Sequence, residues 1–496
     1  MRTSPVFCLV SLTIGIALST AAARAADGIE ASVVKLNVTK RKPDYFRPWT
    51  KESPEKISGS GVVIAGKRIL TNAHMVTNAS QVFVQMRRGG DQLSAKVKAV
   101  GPGIDLAVIE LDDVDKLKDV PALSLAEELP QIKSQISVYG YPTGGDDLSI
   151  TDGIVSRIEF TEYYYGASGV RVQVDAALNP GNSGGPAIEQ GKIVGLVFSG
   201  IQEAENIGYL IPPEEIRLFL ADVADGAYTG NPLLFDEFQT AENDALRAFL
   251  KIPANVTGLV VTRPYRKDET YPLKTWDLVT HVGQHAIDNQ GYVDVREGLR
   301  MRFMYFVPRF AKDGRVELTV LRGGATHKVS VPVAAQRDFL LPLLKDQYPE
   351  YFIYGPVVFT VASQEYVREL GDDWTESLAY RESPLVTRLY DQPAEPGEQL
   401  VVIANQMFPH ATIRGFDNRG MSVIAKLNGV KVKNLRHLAE LLRDRREEFL
   451  RFEMVDRNES LVFRRAELEA ATEQILADEG IRYRASESLR DVWKTN

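Results

Sequence analysis

Between Ile29 and about Leu220 the chain runs through short stretches rich in β-branched and aromatic residues, each closed by turn residues. SVVKLNV, GVVIAGKRILT, QVFVQM, AKVKAV, LAVIEL, ISVYGY, GIVSRIEF, VRVQVD and KIVGLVF follow one another with few helical patterns between them. Many short strands at this spacing fold as a barrel or sandwich, because each strand buries its apolar side chains against others on a shared core. A short amphipathic helix, PPEEIRLFLADV, follows, with Pro213 and two glutamates suited to its first turn.

At 496 residues the chain exceeds what one core can organise, and roughly three domains are expected at this length. ADGAYTGNP, residues 224–232, reads as a linker. Beyond it lie two regions with the size of small α+β modules: 232–336, with strands GLVVT, RVELTVL and KVSVPV, and 349–475, with strands VVFTV, QLVVIAN and SVIAKL and two helices. Asn428-Gly429 marks a tight turn in the second. Residues 476–496 are left as a C-terminal tail.

The first 26 residues are of another kind. Arg2 precedes an apolar run from about Val6 to Leu18 and a small-residue ending, Ala23-Arg24-Ala25, which is the layout of a secretory signal peptide. The run is shorter than the roughly 20 residues a membrane span needs. Cleavage there makes the mature chain periplasmic or secreted and removes Cys8, the single cysteine. No disulfide, thiol nucleophile or cysteine metal site is then expected, and no later segment is apolar enough to cross a membrane. A net charge of −8 offers no footprint for nucleic acid. GVVIAGKR nearly spells a phosphate-binding loop, but Arg68 stands where Mg²⁺ needs a hydroxyl and a strand follows instead of a helix. No ATP, metal or other cofactor is expected.

NPGNSGGP, residues 179–186, suits neither helix nor strand. It is either a surface turn or a loop whose glycines let backbone N–H groups converge beside an exposed hydroxyl, with Ser183 as nucleophile. A serine needs an adjacent base, and His74 is the only histidine before residue 281. The base needs a carboxylate to fix its tautomer. Asp105, at the mouth of the apolar run LAVIEL, suits this better than Asp112 and Asp113 at the solvated far end, or Asp146 and Asp147 in a glycine-rich turn. The order His74, Asp105, Ser183 is that of the chymotrypsin-type triad.

GSGVVIAGKRILTNAHMV, DLAVIEL, VYGYP, DGIVSRI, VDAALNPGNSGGPAI and ENIGYLIPPEEI together resemble the HtrA/Deg serine proteases, in family order. Weaker resemblance continues through both later regions and is greatest to plant-type Deg proteases. It implies a mainly β chain: a chymotrypsin-like double β-barrel protease domain, 27–224, followed by two α+β PDZ-like domains. It implies His74 as general base, Asp105 as its orienter, Ser183 as nucleophile, and the amides of Gly181, Asn182 and Ser183 as the oxyanion hole. Leu178, Ile207 and Leu210 would line a pocket for small aliphatic side chains. Met75 stands where the family more often has valine. Substrates would be unfolded or damaged polypeptides, and the assembly a homotrimer or a multiple of trimers, in which Tyr45, Phe46 and Trp49 of YFRPW are candidate contacts. Rival readings are a non-proteolytic chaperone or scaffold, which an intact triad disfavours, and a narrow regulatory protease with one target. In the first PDZ-like region, Pro232-Leu233-Leu234-Phe235-Asp236 aligns with the family's carboxylate-binding loop, but Phe235 replaces its glycine and Asp236 adds a negative charge. That region is therefore not expected to recognise free C-termini.

Overall fold

The computed structural model describes residues 28–86, 90–143, 145–163, 166–200, 207–416, 420–455 and 460–493, with the side chains of 199 and 200 excepted. The signal-peptide reading of residues 1–26 falls outside them. The first barrel is built from β1 (Val33–Lys40), β2 (Glu55–Ile64), β3 (Arg68–Thr71), β4 (Ala79–Gln85), β5 (Gln92–Gly101) and β6 (Leu106–Leu111). They close in the order β1-β2-β3-β6-β5-β4. The second is built from β7 (Gln135–Gly140), β8 (Ser149–Glu162), β9 (Ser168–Val174), β10 (Pro186–Glu189), β11 (Lys192–Gly200) and β12 (Gly208–Ile211). These close as β10-β11-β12-β9-β8-β7.

The continuous apolar runs have a structural cause. Successive strand residues point to opposite faces, and in several strands of the first barrel both faces are covered. In β6, Ala107 and Ile109 point into the first barrel's core with Val34, Leu36, Val63 and Ile69. Leu106 and Val108 point the other way, into a cluster with Val62 and Leu70 that also takes Tyr139, Tyr141, Leu196, Tyr209 and Ile211 from the second barrel. This shared cluster joins the barrels, and the helix Pro213–Asp222 adds Ile216 and Phe219 to it.

The described residues pack as two compact units: residues 28–40 with 55–337, and residues 41–54 with 338–493. In the first unit, the region after the linker forms an antiparallel sheet whose main path runs Glu237–Thr240, Leu259–Arg263, Leu278–Val282, Arg315–Arg322, Ala325–Pro332. Its core residues Val261, Val279, Val320 and Tyr305 form one cluster with Val138, Val172 and Val194 of the second barrel. Apolar packing thus runs unbroken across the sequence linker. Asp236 is buried there, its carboxyl accepting the Tyr265 N–H at 2.9 Å and the Tyr271 hydroxyl at 3.0 Å.

The second unit holds a three-stranded and a four-stranded antiparallel sheet and the helices Leu435–Asp444 and Arg465–Asp478. The segment read as a tail belongs to this core: Ala485, Leu489 and Val492 are buried with Phe352, Phe359 and Phe452. So does the aromatic segment. Asp44 caps a turn by accepting the N–H groups of Phe46 and Arg47, and the rings of Phe46 and Trp49 pack on Tyr366 and Phe408. The aromatics held as candidates for a trimer contact are therefore half-buried inside their own chain.

Candidate active site

His74 lies in a four-residue helix, Ala73–Val76, that follows β3 directly. Its Nδ1 is 2.7 Å from Asp105 Oδ2, while its backbone N–H donates to Asp105 Oδ1 at 2.8 Å. One carboxylate thus fixes both ring and backbone of the histidine. Asp105 is only 1% exposed, and Asn72 Nδ2 donates to its carbonyl at 3.0 Å. Its φ of 55° is left-handed, a conformation that costs most residues energy but that aspartate tolerates. The His74 ring keeps an open edge, with 41% of its side chain exposed.

Ser183 is half-buried in the loop between β9 and β10. No hydrogen bond joins its hydroxyl to His74 among the described residues, and its placement comes through backbone. Ser60, wholly buried in β2, donates its N–H to the Ser183 carbonyl at 2.9 Å and its hydroxyl to the Gly181 carbonyl at 2.8 Å. The same hydroxyl accepts the Tyr141 N–H at 2.8 Å, and the Ser60 carbonyl accepts the Thr71 hydroxyl at 2.8 Å. Thr71 stands three residues before His74, so Ser60 ties the serine loop to the strand that leads into the histidine's helix. Nothing in the local pattern of GSGVVI distinguishes this serine; its partners are distant in sequence.

The loop's glycines are needed for conformation and for space. Gly181 has φ 99° and Gly184 has φ 83°, both in the region glycine favours. A Cβ on Gly184 would also lie 2.1 Å from the Ser60 carbonyl oxygen. The amides of Gly181 and Ser183 have no hydrogen-bond acceptor among the described residues, while that of Asn182 donates to Asn179 O at 3.0 Å. Of the three amides expected at an oxyanion, Asn182's is thus already engaged.

The expected pocket residues separate. Leu178 is half-buried and lies over Gly208, where an added Cβ would meet its Cδ1 at 2.3 Å. Ile207 is half-buried against the inter-barrel cluster. Leu210 is fully buried in the second barrel's core. It has no surface to offer a substrate, because every second residue of a strand faces inward. Gly208, which sequence reading passed over, is the β12 residue that meets Leu178. Met75 packs its thioether on Gly59, next to the Ser183 carbonyl.

Two six-stranded barrels with a histidine–aspartate pair and a glycine-rich serine loop where they meet define a trypsin-like protease. The trypsin-like peptidase domain model matches residues 59–196, and a PDZ domain model matches residues 342–488. The chain is 35% identical over 452 residues to Protease Do-like 4, mitochondrial, of Arabidopsis thaliana, covering 90% of this chain and 83% of that one. It is 35% identical over 468 residues to Protease Do-like 2, chloroplastic, of the same plant, covering 93% and 76%. Among solved structures, the HtrA-type protease AlgW with tripeptide superposes with a TM-score of 0.50 at 23% identity, covering 64% of this chain and 97% of that one, a likeness of fold. The chain belongs to the Do-like (HtrA/Deg) family of serine proteases. No helix among the described residues is long and apolar enough to cross a membrane.

Proposed function

We propose that the chain is an ATP-independent endopeptidase that cleaves unfolded or damaged polypeptides through Ser183, His74 and Asp105. The 2.7 Å contact between His74 Nδ1 and the buried Asp105 carboxylate carries this reading. An acceptor on Nδ1 keeps that nitrogen protonated and leaves Nε2 free to take the Ser183 proton. The serine oxygen attacks the scissile carbonyl, and the negative charge that develops falls to the amides of Gly181 and Ser183. Each such donor is worth about 3–4 kcal/mol in the transition state. The imidazolium, stabilised by Asp105, then protonates the leaving amine. Leu178, half-buried on Gly208, gives the site an apolar wall suited to a small aliphatic side chain. The N-terminal layout supports export to a periplasmic or extracellular compartment, and family likeness supports a homo-oligomer. PDZ-like character in residues 232–336 is part of the same reading.

Casein digestion tests it. Ser183→Ala and His74→Ala should each abolish cleavage without unfolding the protein, and the double variant should be scarcely worse than either, because triad members act as a unit. Clear residual proteolysis by purified Ser183→Ala protein overturns the assignment. Comparing unfolded casein with folded proteins separates general clearance from a protease with one target.

A further inference from the structure

Glu215 is a carboxylate buried far from solvent, and the chemistry above does not use it. It lies in the first turn of the helix Pro213–Asp222 and is 1% exposed. Its Oε1 accepts the Val170 N–H of β9 at 2.9 Å. Its Oε2 accepts Asn231 Nδ2, from the segment entering the next module, at 3.2 Å. The strand geometry explains the first bond. β12 pairs with β9 between Gly208–Leu210 and Val172–Val174 only, so Val170 lies beyond the end of that pairing, and the carboxylate supplies the acceptor.

Gly169 lies between the carboxyl and the residue preceding the aspartate of the triad. A Cβ on Gly169 would fall 2.9 Å from Ile104 Cδ1 and 3.0 Å from Glu215 Cδ, so the glycine backbone is held between the two. Ile104 immediately precedes Asp105. Tyr163, at the end of the β8–β9 hairpin, donates its hydroxyl to the Val170 carbonyl at 2.6 Å and lays its ring 5.2 Å from that of Phe198 on β11.

We propose that Glu215 is a proton-operated positioning residue for proteolysis, which in its ionised form locks the β8–β9 hairpin, the helix and the Asn231 segment together against Ile104. An ionised carboxylate accepts from both donors at once. A neutral acid presents one acceptor and one donor, so the N–H₂ of Asn231 no longer matches the oxygen it faces. Burial pushes the carboxyl up to about 7, and the neutral Val170 and Asn231 donors only partly restore the charged form. The groups facing it are Tyr163 on the hairpin, Tyr228 on the linker, Glu214 on its own helix, and Tyr305 and Arg309 of the following module. Arg309 favours ionisation of Glu215, but its guanidinium is paired with Glu214 at 2.8 Å. The switch therefore works near neutrality.

This proposal rests on the triad reading, and its test has a readout independent of activity. A raised pKa means that the folded state binds the proton more tightly than the unfolded chain. The stability this gives is present in full below the unfolded value of about 4.3 and is lost as pH rises through about 7. The melting midpoint of the full chain, minus that of Glu215→Gln, should accordingly fall by several degrees over that range and then level off. The same should hold in a Ser183→Ala background, where no nucleophile is needed.

On a short peptide, the ratio of wild-type to Glu215→Gln kcat/KM should be near one at acid pH and rise to about fivefold or more in alkali, through kcat and not KM. Asn231→Ala, which removes one donor to the ionised form, should move the wild-type inflection to higher pH. That variant keeps the test alive if Glu215→Gln fails to fold. A kcat/KM ratio that stays flat with pH overturns the proposal, even where the melting difference titrates, because the carboxyl then titrates without reaching the site. A flat melting difference overturns it at the first step.

Discussion

Ser60 holds the serine loop through two hydrogen bonds and ties it through two more to Tyr141 and Thr71, and none of these partners is adjacent in sequence. Its hydroxyl fixes the Gly181 carbonyl, and hence the peptide preceding Asn182, relative to the Tyr141 strand end. Removing it with Ser60→Ala leaves the Gly181 carbonyl and the Tyr141 N–H buried without that partner. Such losses cost about 1–3 kcal/mol. Because Ser60 lies behind the loop, the cost should appear as a kcat lowered roughly tenfold or more, with KM little changed. A loss confined to KM would mean that the loop keeps its shape without this serine. At this scale the sequence revealed the residues whose chemistry is distinctive. His74, Asp105 and Ser183 could be proposed as base, orienter and nucleophile because few residue types suit those roles, and the structure brings the first two into contact. Ser60 could not, since any small polar residue fits the same local pattern.

Among the elements, the strands were legible wherever apolar runs met turn residues, and the Asn428-Gly429 turn between Ile424–Leu427 and Val430–Lys431 has both central residues left-handed, as its type demands. What the runs did not reveal is which face each residue takes when both are buried, and Leu210 was misplaced for that reason. The segment Pro232–Asp236 shows how a local departure is resolved by packing. Phe235 sets its ring at a tilt 5.2 Å from that of Tyr265, and Asp236 turns inward to the Tyr265 N–H and the Tyr271 hydroxyl. Burial pushes the Asp236 carboxyl above its ordinary range, and donors from outside the loop hold it inward as an internal acid of this module. The full-length Ser183→Ala protein should then bind a peptide and its C-terminally amidated form equally at this module, or bind neither. Calorimetry on protein whose 342–488 region has been disabled for peptide binding reads this directly, and a clear preference for the free carboxylate refutes it.

For the molecule as a whole, chain order and packing disagree at one place. Residues 41–54 connect β1 and β2 of the first barrel, yet they pack with residues 338–493. Tyr45 and Phe46 lie against the cluster of Leu340, Leu341, Tyr366 and Leu385, and Trp49 lies against that of Tyr351, Ile353 and Val358. Lys51 sits 4.3 Å over the Tyr348 ring, and the Tyr348 hydroxyl donates to the Arg41 carbonyl. No sequence pattern announces such a contact, because periodicity reports only which residues are apolar and never which distant partner covers them. Three aromatics in five residues fit an interface between chains as well as one within a chain. Within this chain the rings pack on the C-terminal unit, and this has a thermodynamic consequence. Truncating a buried aromatic costs about 3–5 kcal/mol; for these half-buried rings about 2 kcal/mol each is a fair discount. The triple variant Tyr45→Ala, Phe46→Ala, Trp49→Ala should therefore lower the melting transition of the C-terminal unit substantially and expose it to limited proteolysis. Its assembly state by light scattering should stay that of the wild type. A variant that falls apart into monomers while the C-terminal unit keeps its wild-type melting transition would return these rings to a contact between chains.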